Sequence, residues 1–137
     1  MNSIPIDEVK VGDSAEITKH MSFDMVEDFS RLSEDFNPVH LDADYASRSR
    51  YRKKIIHGLM ATSLFSGLFG TRIPGEGCVY KSQNIRFKRP IYVGDEVTAR
   101  VEVTSVDVDK KVICFSTSCL VKGKVMIDGE SEIFVPH

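Results

Sequence analysis

Apolar and polar residues alternate along the second half of the chain at the period of a strand with one wet face. Val97, Ala99, Val101 and Val103 interleave with Thr98, Arg100, Glu102 and Thr104. The first set therefore points to a core and the second to water. β-Branched and aromatic residues recur through 79–88, 95–106, 111–121 and 125–135, which predicts four strands. Val108-Asp109-Lys110 and Lys122-Gly123-Lys124 are short enough to join consecutive strands as hairpins.

The first half follows another rhythm. Val11-Gly12-Asp13 reads as a turn and 15–20 as a short strand. Ser22 is placed to cap a helix, with Asp24 and Glu27 near its positive end. Met25, Phe29 and Leu32 share one face of that helix by their i, i+4, i+7 spacing. It ends near Glu34. A further short helix is predicted over 42–49, followed by a basic, irregular run, Arg48-Ser49-Arg50-Tyr51-Arg52-Lys53-Lys54. From Gly58 to Phe69 the residues are almost all apolar or small, the composition of a helix buried on most sides. Gly70 and Thr71-Arg72-Ile73-Pro74-Gly75 end it. A buried helix against an antiparallel sheet makes an α+β domain. With no linker, repeat or low-complexity stretch, one domain over residues 1–137 is expected.

At 42% hydrophobic and 28% charged residues the chain has the composition of a soluble globular protein. A formal charge of -2 argues against a broad basic surface for nucleic acid or anionic membrane. No apolar run reaches spanning length, and Met1-Asn2-Ser3-Ile4-Pro5-Ile6 carries no secretory pattern. Cys78, Cys114 and Cys119 lack metal-ligand spacing. Reduced thiols in a cytoplasmic protein, with no metal site, are the expectation.

The chemistry concentrates in Asp35-Phe36-Asn37-Pro38-Val39-His40. Proline pushes Asn37 out of the helical region, so the segment turns a corner and aims its two end residues at a common spot. A carboxylate and an imidazole converging there can hold a water and move its protons. Taken singly, Asp35 serves equally well as a helix cap or an Asx turn, and His40 as a hydrogen-bonded structural histidine. The joint pattern favours chemistry for both. Asn37 orients the turn and the site, since an amide is neither a useful acid nor a base. Downstream, Ile55-Ile56-His57-Gly58-Leu59-Met60 opens the apolar helix. Gly58 lets a ligand approach closely, and free N–H groups at a helix start can receive an oxyanion. His57 is expected to be structural, without a direct proton role.

The motif resembles that of the MaoC-like hot-dog hydratases. Ser33 to Asp42, Ser63-Leu64-Phe65-Ser66-Gly67-Leu68 and Val93-Gly94-Asp95-Glu96-Val97 extend the resemblance over nearly the whole chain. It is similar in particular to small bacterial (R)-specific enoyl-CoA hydratases, which supply (R)-3-hydroxyacyl-CoA for polyhydroxyalkanoate synthesis. One departure is Glu34, where many relatives have glycine. The resemblance implies a hot-dog fold, in which the antiparallel sheet wraps a long central helix.

It also implies reversible hydration of a trans-2-enoyl-CoA, with Asp35 and His40 as the catalytic pair and the Gly58 N–H on the thioester oxygen. In relatives the serine matching Ser66 lies near the site. Packing of the sheet on a small residue is an equal alternative. Met60, Phe65 and Leu68 are offered as acyl-pocket lining, against the alternative of plain core. The basic run, and Arg86, Lys88 and Arg89 around Phe87 and Pro90, either attract the phosphates of a nucleotide-bearing carrier or are solvated loops. No metal or redox cofactor is implied, and CoA is part of the substrate. Rival readings are a 3-hydroxyacyl-[acyl-carrier-protein] dehydratase, a silent acyl-CoA-binding module and a thioesterase. Hot-dog domains usually pair and a sheet edge needs covering, so at least a homodimer is expected.

Overall fold

The computed structural model describes residues 2–137. Strand β1 (Ser14–His20) leads into helix α1 (Phe23–Ser33). Two single-turn helices follow, α2 (Pro38–Leu41) and α3 (Ala43–Ser47). The long helix α4 (Gly58–Thr71) precedes strands β2 (Val79–Phe87), β3 (Glu96–Asp107), β4 (Val112–Val121) and β5 (Lys124–Phe134). The strands form one antiparallel sheet in the order β1-β3-β4-β5-β2. The α+β expectation and all five predicted strands hold, within a residue or two at their ends.

The alternation read from β3 sets which side of the sheet is dry. Val97, Ala99, Val101 and Val103 are fully buried, and Thr98, Arg100 and Glu102 are not. Ile113, Phe115 and Cys119 on β4 and Ile127 and Ile133 on β5 continue the dry face. Against it lie Met60, Ala61, Phe65, Leu68 and Phe69 of α4. Between β4 and β5, Lys122 and Gly123 both have positive φ (51° and 76°), the backbone of a two-residue hairpin whose twist suits the strands. Cys78, Cys114 and Cys119 are free thiols. Burial pushes the Cys119 thiol up to about 12, which keeps it protonated and inert.

Two expectations about helix faces need correction. Leu32 does not share a buried stripe with Met25 and Phe29; it is 81% exposed. The dry face of α1 centres on Val26 and Ser30, and Leu32 lies roughly 120° round the helix from Val26. Helix α4 is dry on one side only. Leu59, Ser63, Ser66 and Gly67 are exposed, because the sheet covers just the face that carries Met60, Phe65 and Leu68. Among the described residues, no helix is long and apolar enough to cross a membrane.

Candidate active site

Helix α1 ends where Glu34 takes a left-handed backbone, φ 62° and ψ 19°. That reversal turns Asp35 out of the helix, and a ladder of local hydrogen bonds then shapes the corner. The Asn37 N–H donates to Asp35 Oδ1 at 3.1 Å, and the Val39 N–H donates to Asn37 Oδ1 at 3.2 Å. Asn37 is thus the cap of α2. Pro38 occupies its first position, where a missing N–H costs nothing. Asp35 closes an Asx turn with one carboxylate oxygen and keeps the other for the site.

One turn later His40 is buried, 8% exposed. Its Nδ1 lies 2.7 Å from the carbonyl oxygen of Ile55. A carbonyl only accepts, so Nδ1 carries the proton and neutral His40 presents a bare Nε2. Nε2 stands 3.9 Å from Asp35 Oδ2. That gap is too long for a direct hydrogen bond, and a single oxygen between the two atoms is within reach of both.

His57 completes the cluster. Its ring stacks on His40 with centroids 3.9 Å apart and planes at 27°, and tilts against Phe29 at 4.9 Å. Nε2 lies 3.2 Å from both the Asp35 carbonyl oxygen and Ser30 Oγ, and 4.0 Å from Asp35 Oδ2. Burial lowers its pKa below the usual imidazole range; the bond to the Asp35 carbonyl opposes this, the His40 charge adds to it and the Asp35 carboxylate opposes it. Asp35, His40 and His57 offer donor atoms within 4.8 Å of one another, the spacing of a metal site. The proton that His57 Nε2 gives to the Asp35 carbonyl leaves no lone pair there for an ion. His57 Nδ1 is bare and without a hydrogen-bond partner among the described residues, but it is Nε2 that faces Asp35; at that spot Asp35 and His40 Nε2 remain, one ligand short of the three protein ligands of a catalytic zinc. The cluster is therefore better suited to moving protons.

Gly58 follows His57 and opens α4. Its φ is not in the left-handed region; a neighbour makes it glycine. A Cβ here would lie 2.4 Å from Cε1 and 2.5 Å from Cδ1 of Phe87. Two clefts share His40, Gly58 and Phe87. One, of about 360 Å³, runs between Arg50 and Tyr51 on one side and Lys88 and Arg89 on the other. The other, of about 460 Å³, reaches Asp35 and His57 past Phe29 and Leu59.

Of the residues singled out from sequence, Asp35, His40 and Gly58 come together, with Asn37 shaping the corner. The two basic segments meet across the first cleft, through Arg50, Lys88 and Arg89, although Lys88 also pairs with Asp128 at 2.8 Å. Ser66 sits exposed further along α4 and lines neither cleft. Met60, Phe65 and Leu68 are 5%, 0% and 2% exposed and pack in the core, so the apolar lining falls instead to Phe29, Leu59 and Phe87. His20 and His137 are exposed. The contact of His57 with both members of the pair has no signature in the sequence beyond its place before Gly58.

The MaoC-like domain pattern matches residues 7–125. The chain is 41% identical over 130 residues to an (R)-specific enoyl-CoA hydratase of Rhodospirillum rubrum, covering 95% of this chain and 90% of that one. It superposes on the (R)-hydratase from Aeromonas caviae involved in PHA biosynthesis with a TM-score of 0.92 at 41% identity, over 94% of this chain and 98% of that one. A mitochondrial 3-hydroxyacyl-[acyl-carrier-protein] dehydratase of Arabidopsis thaliana is 31% identical over 133 residues, 94% of this chain and 79% of the relative.

Proposed function

The chain belongs to the MaoC-like domain family, and we propose that it is an (R)-specific enoyl-CoA hydratase. The observation that carries this reading is the pairing of Asp35 Oδ2 with His40 Nε2, 3.9 Å apart, beside the opening of α4. Water is a poor nucleophile and a thioester enolate a poor intermediate, so the reaction needs a base, an acid and an oxyanion donor. Asp35 and His40 hold the water between them and take one of its protons as its oxygen bonds to C3 of the enoyl group. The displaced π pair moves onto C2 and the thioester oxygen, where the Gly58 N–H and the positive end of α4 meet the charge. The pair then returns a proton to C2. Electrons and protons balance without a redox partner, and CoA enters only as part of the substrate.

The carrier arm fits the cleft between Arg50 and Arg89, whose charges suit phosphates; the enoyl group extends toward Phe29 and Leu59. An acyl-carrier-protein dehydratase would use the same pair in reverse. The higher identity to CoA hydratases supports the CoA reading, and parallel assays with both carriers separate the two. We further propose a homodimer in the cytoplasm. Strand β2 is a sheet edge with Val79 and Tyr80 exposed, and an open edge is covered most simply by its own copy. Light scattering at the mass of one chain would exclude the dimer. The decisive test is hydration of enoyl-CoAs of graded length, with chiral analysis of the product. A predominantly (S) product would refute the assigned specificity.

A further inference from the structure

The hydration chemistry above uses Asp35, His40 and Gly58 and leaves a buried imidazole unemployed between them. His57 is 4% exposed and touches both members of the pair. Its ring is the surface on which His40 lies, 3.9 Å away and nearly parallel. Its Nε2–H bonds the backbone carbonyl of Asp35 at 3.2 Å. Ser30 Oγ and the Phe29 ring hold the imidazole from the α1 side. Its main chain leads directly into Gly58.

Resting on the hydratase reading, we propose that His57 is a positioning residue, whose ring sets the plane of His40 and whose N–H fixes the Asp35 corner. The separation of the two reacting atoms then depends on one side chain that meets no substrate atom. The face of the ring packs on one partner and its edge N–H bonds the other, so a single buried side chain ties the exposed 35–37 corner to His40. The ionisable groups facing His57 are Asp35 and His40; Ser30 and Phe29 from α1 carry no charge. Burial favours the uncharged ring. A second positive charge would otherwise stand against His40 whenever His40 holds the proton taken from water.

Three variants separate the two contacts. His57→Phe keeps a ring under His40 and loses the N–H. His57→Gln keeps an N–H toward Asp35 and loses the stack. His57→Ala loses both. Misplacing reacting groups by an ångström costs up to about a hundredfold. His57→Ala is therefore expected to lower kcat at least about tenfold with KM changed less than about twofold. Its pH–kcat profile should move, and Phe and Gln should each recover part of the loss. In a His40→Gln background the same Ala substitution should cost several-fold less than in the wild type, on the order expected for groups that act as a unit, because only the contact to Asp35 is left to lose. Circular dichroism and oligomer size report folding; should Ala fail to fold, Phe and Gln are judged by the same criteria. Wild-type kcat and an unmoved pH profile in a folded variant would overturn the proposal. So would a loss confined to KM, or an equal cost in both backgrounds. A wild-type chain that hydrates no enoyl-CoA refutes the hydratase reading and the positioning role with it; an active wild type with unaffected variants refutes the positioning role alone.

Discussion

Replacing Gly58 by alanine adds one methyl group at the most crowded point of the site. The new carbon would lie 2.4 Å from Cε1 of Phe87, whereas non-bonded carbons settle at about 3.5–4.0 Å. The Phe87 ring must therefore withdraw by at least about 1 Å. It is 55% exposed, so it can move, but it lines both clefts and its displacement alters the path of the thioester. Loss of one oxyanion-hole donor costs about 3 kcal/mol, about a hundredfold in rate, and a thioester pushed off the Gly58 N–H loses that bond. We expect kcat/KM of Gly58→Ala to fall by about that factor, and Gly58→Val to fall further. Hydration of crotonyl-CoA, followed by loss of the conjugated thioester's ultraviolet absorbance, measures it. Gly67→Ala is the control, because its Cβ would meet nothing within 4 Å; it should gain helix stability and keep full activity. Leu59, which lines the Asp35 cleft, is unsuitable for that purpose. Adding Phe87→Ala to Gly58→Ala tells whether the ring clash or the backbone is at fault: recovery assigns the loss to the ring. A folded Gly58→Ala enzyme with kcat/KM within about twofold of wild type would refute the placement of the thioester against the Gly58–Phe87 contact, on which the oxyanion role depends.

Asp35→Asn and His40→Gln each remove a proton-transfer group at nearly constant size. Each should lower kcat by about a hundredfold or more, with the double variant far above the product of the singles because both act on one water; near-normal turnover of either single variant removes that residue from the mechanism. Folding stability should fall as pH drops below 6.5, the ordinary value for His57. Its folded pKa lies lower, so the unfolded chain binds a proton that the native chain refuses, and the contribution is complete above 6.5 and lost through the folded pKa. Thermal midpoints taken from about pH 7.5 to about pH 5.5 should decline, less steeply in His57→Phe; equal slopes would contradict the buried neutral ring. Glu34→Gly should stabilise the fold by about 0.5–1 kcal/mol, since a left-handed L-residue costs about 1–2 kcal/mol and glycine's unfolded-state entropy returns part of it; chemical denaturation measures the gain.

That Glu34 position also marks how far the sequence reaches. The corner from Glu34 to His40 is legible because each of its causes is local: a capping amide, a proline and an Asx turn, all within one short segment. The strands are legible for a similar reason, since alternation on β3 reports which face is dry whatever the strand packs against. The family resemblance turns the local motif into the expectation of a catalytic pair, and the fold sets Asp35 and His40 3.9 Å apart. Other features depend on where distant segments dock. Leu32 has the spacing of a core residue but lies on the wrong side of the line along which α1 meets the core. Half of α4 stays open because one sheet covers only one face of a helix. Arg50 and Arg89 belong to unrelated loops until the Ile55–Tyr92 bridge draws the segments together. Phe87 meets Gly58 because β2 ends beside the start of α4, and His57 meets His40 because the Ile55 carbonyl holds the imidazole over it. Periodicity records the environment of a residue averaged over its own element. It carries no record of which other element supplies that environment, so contacts between elements were decided by the tertiary structure alone.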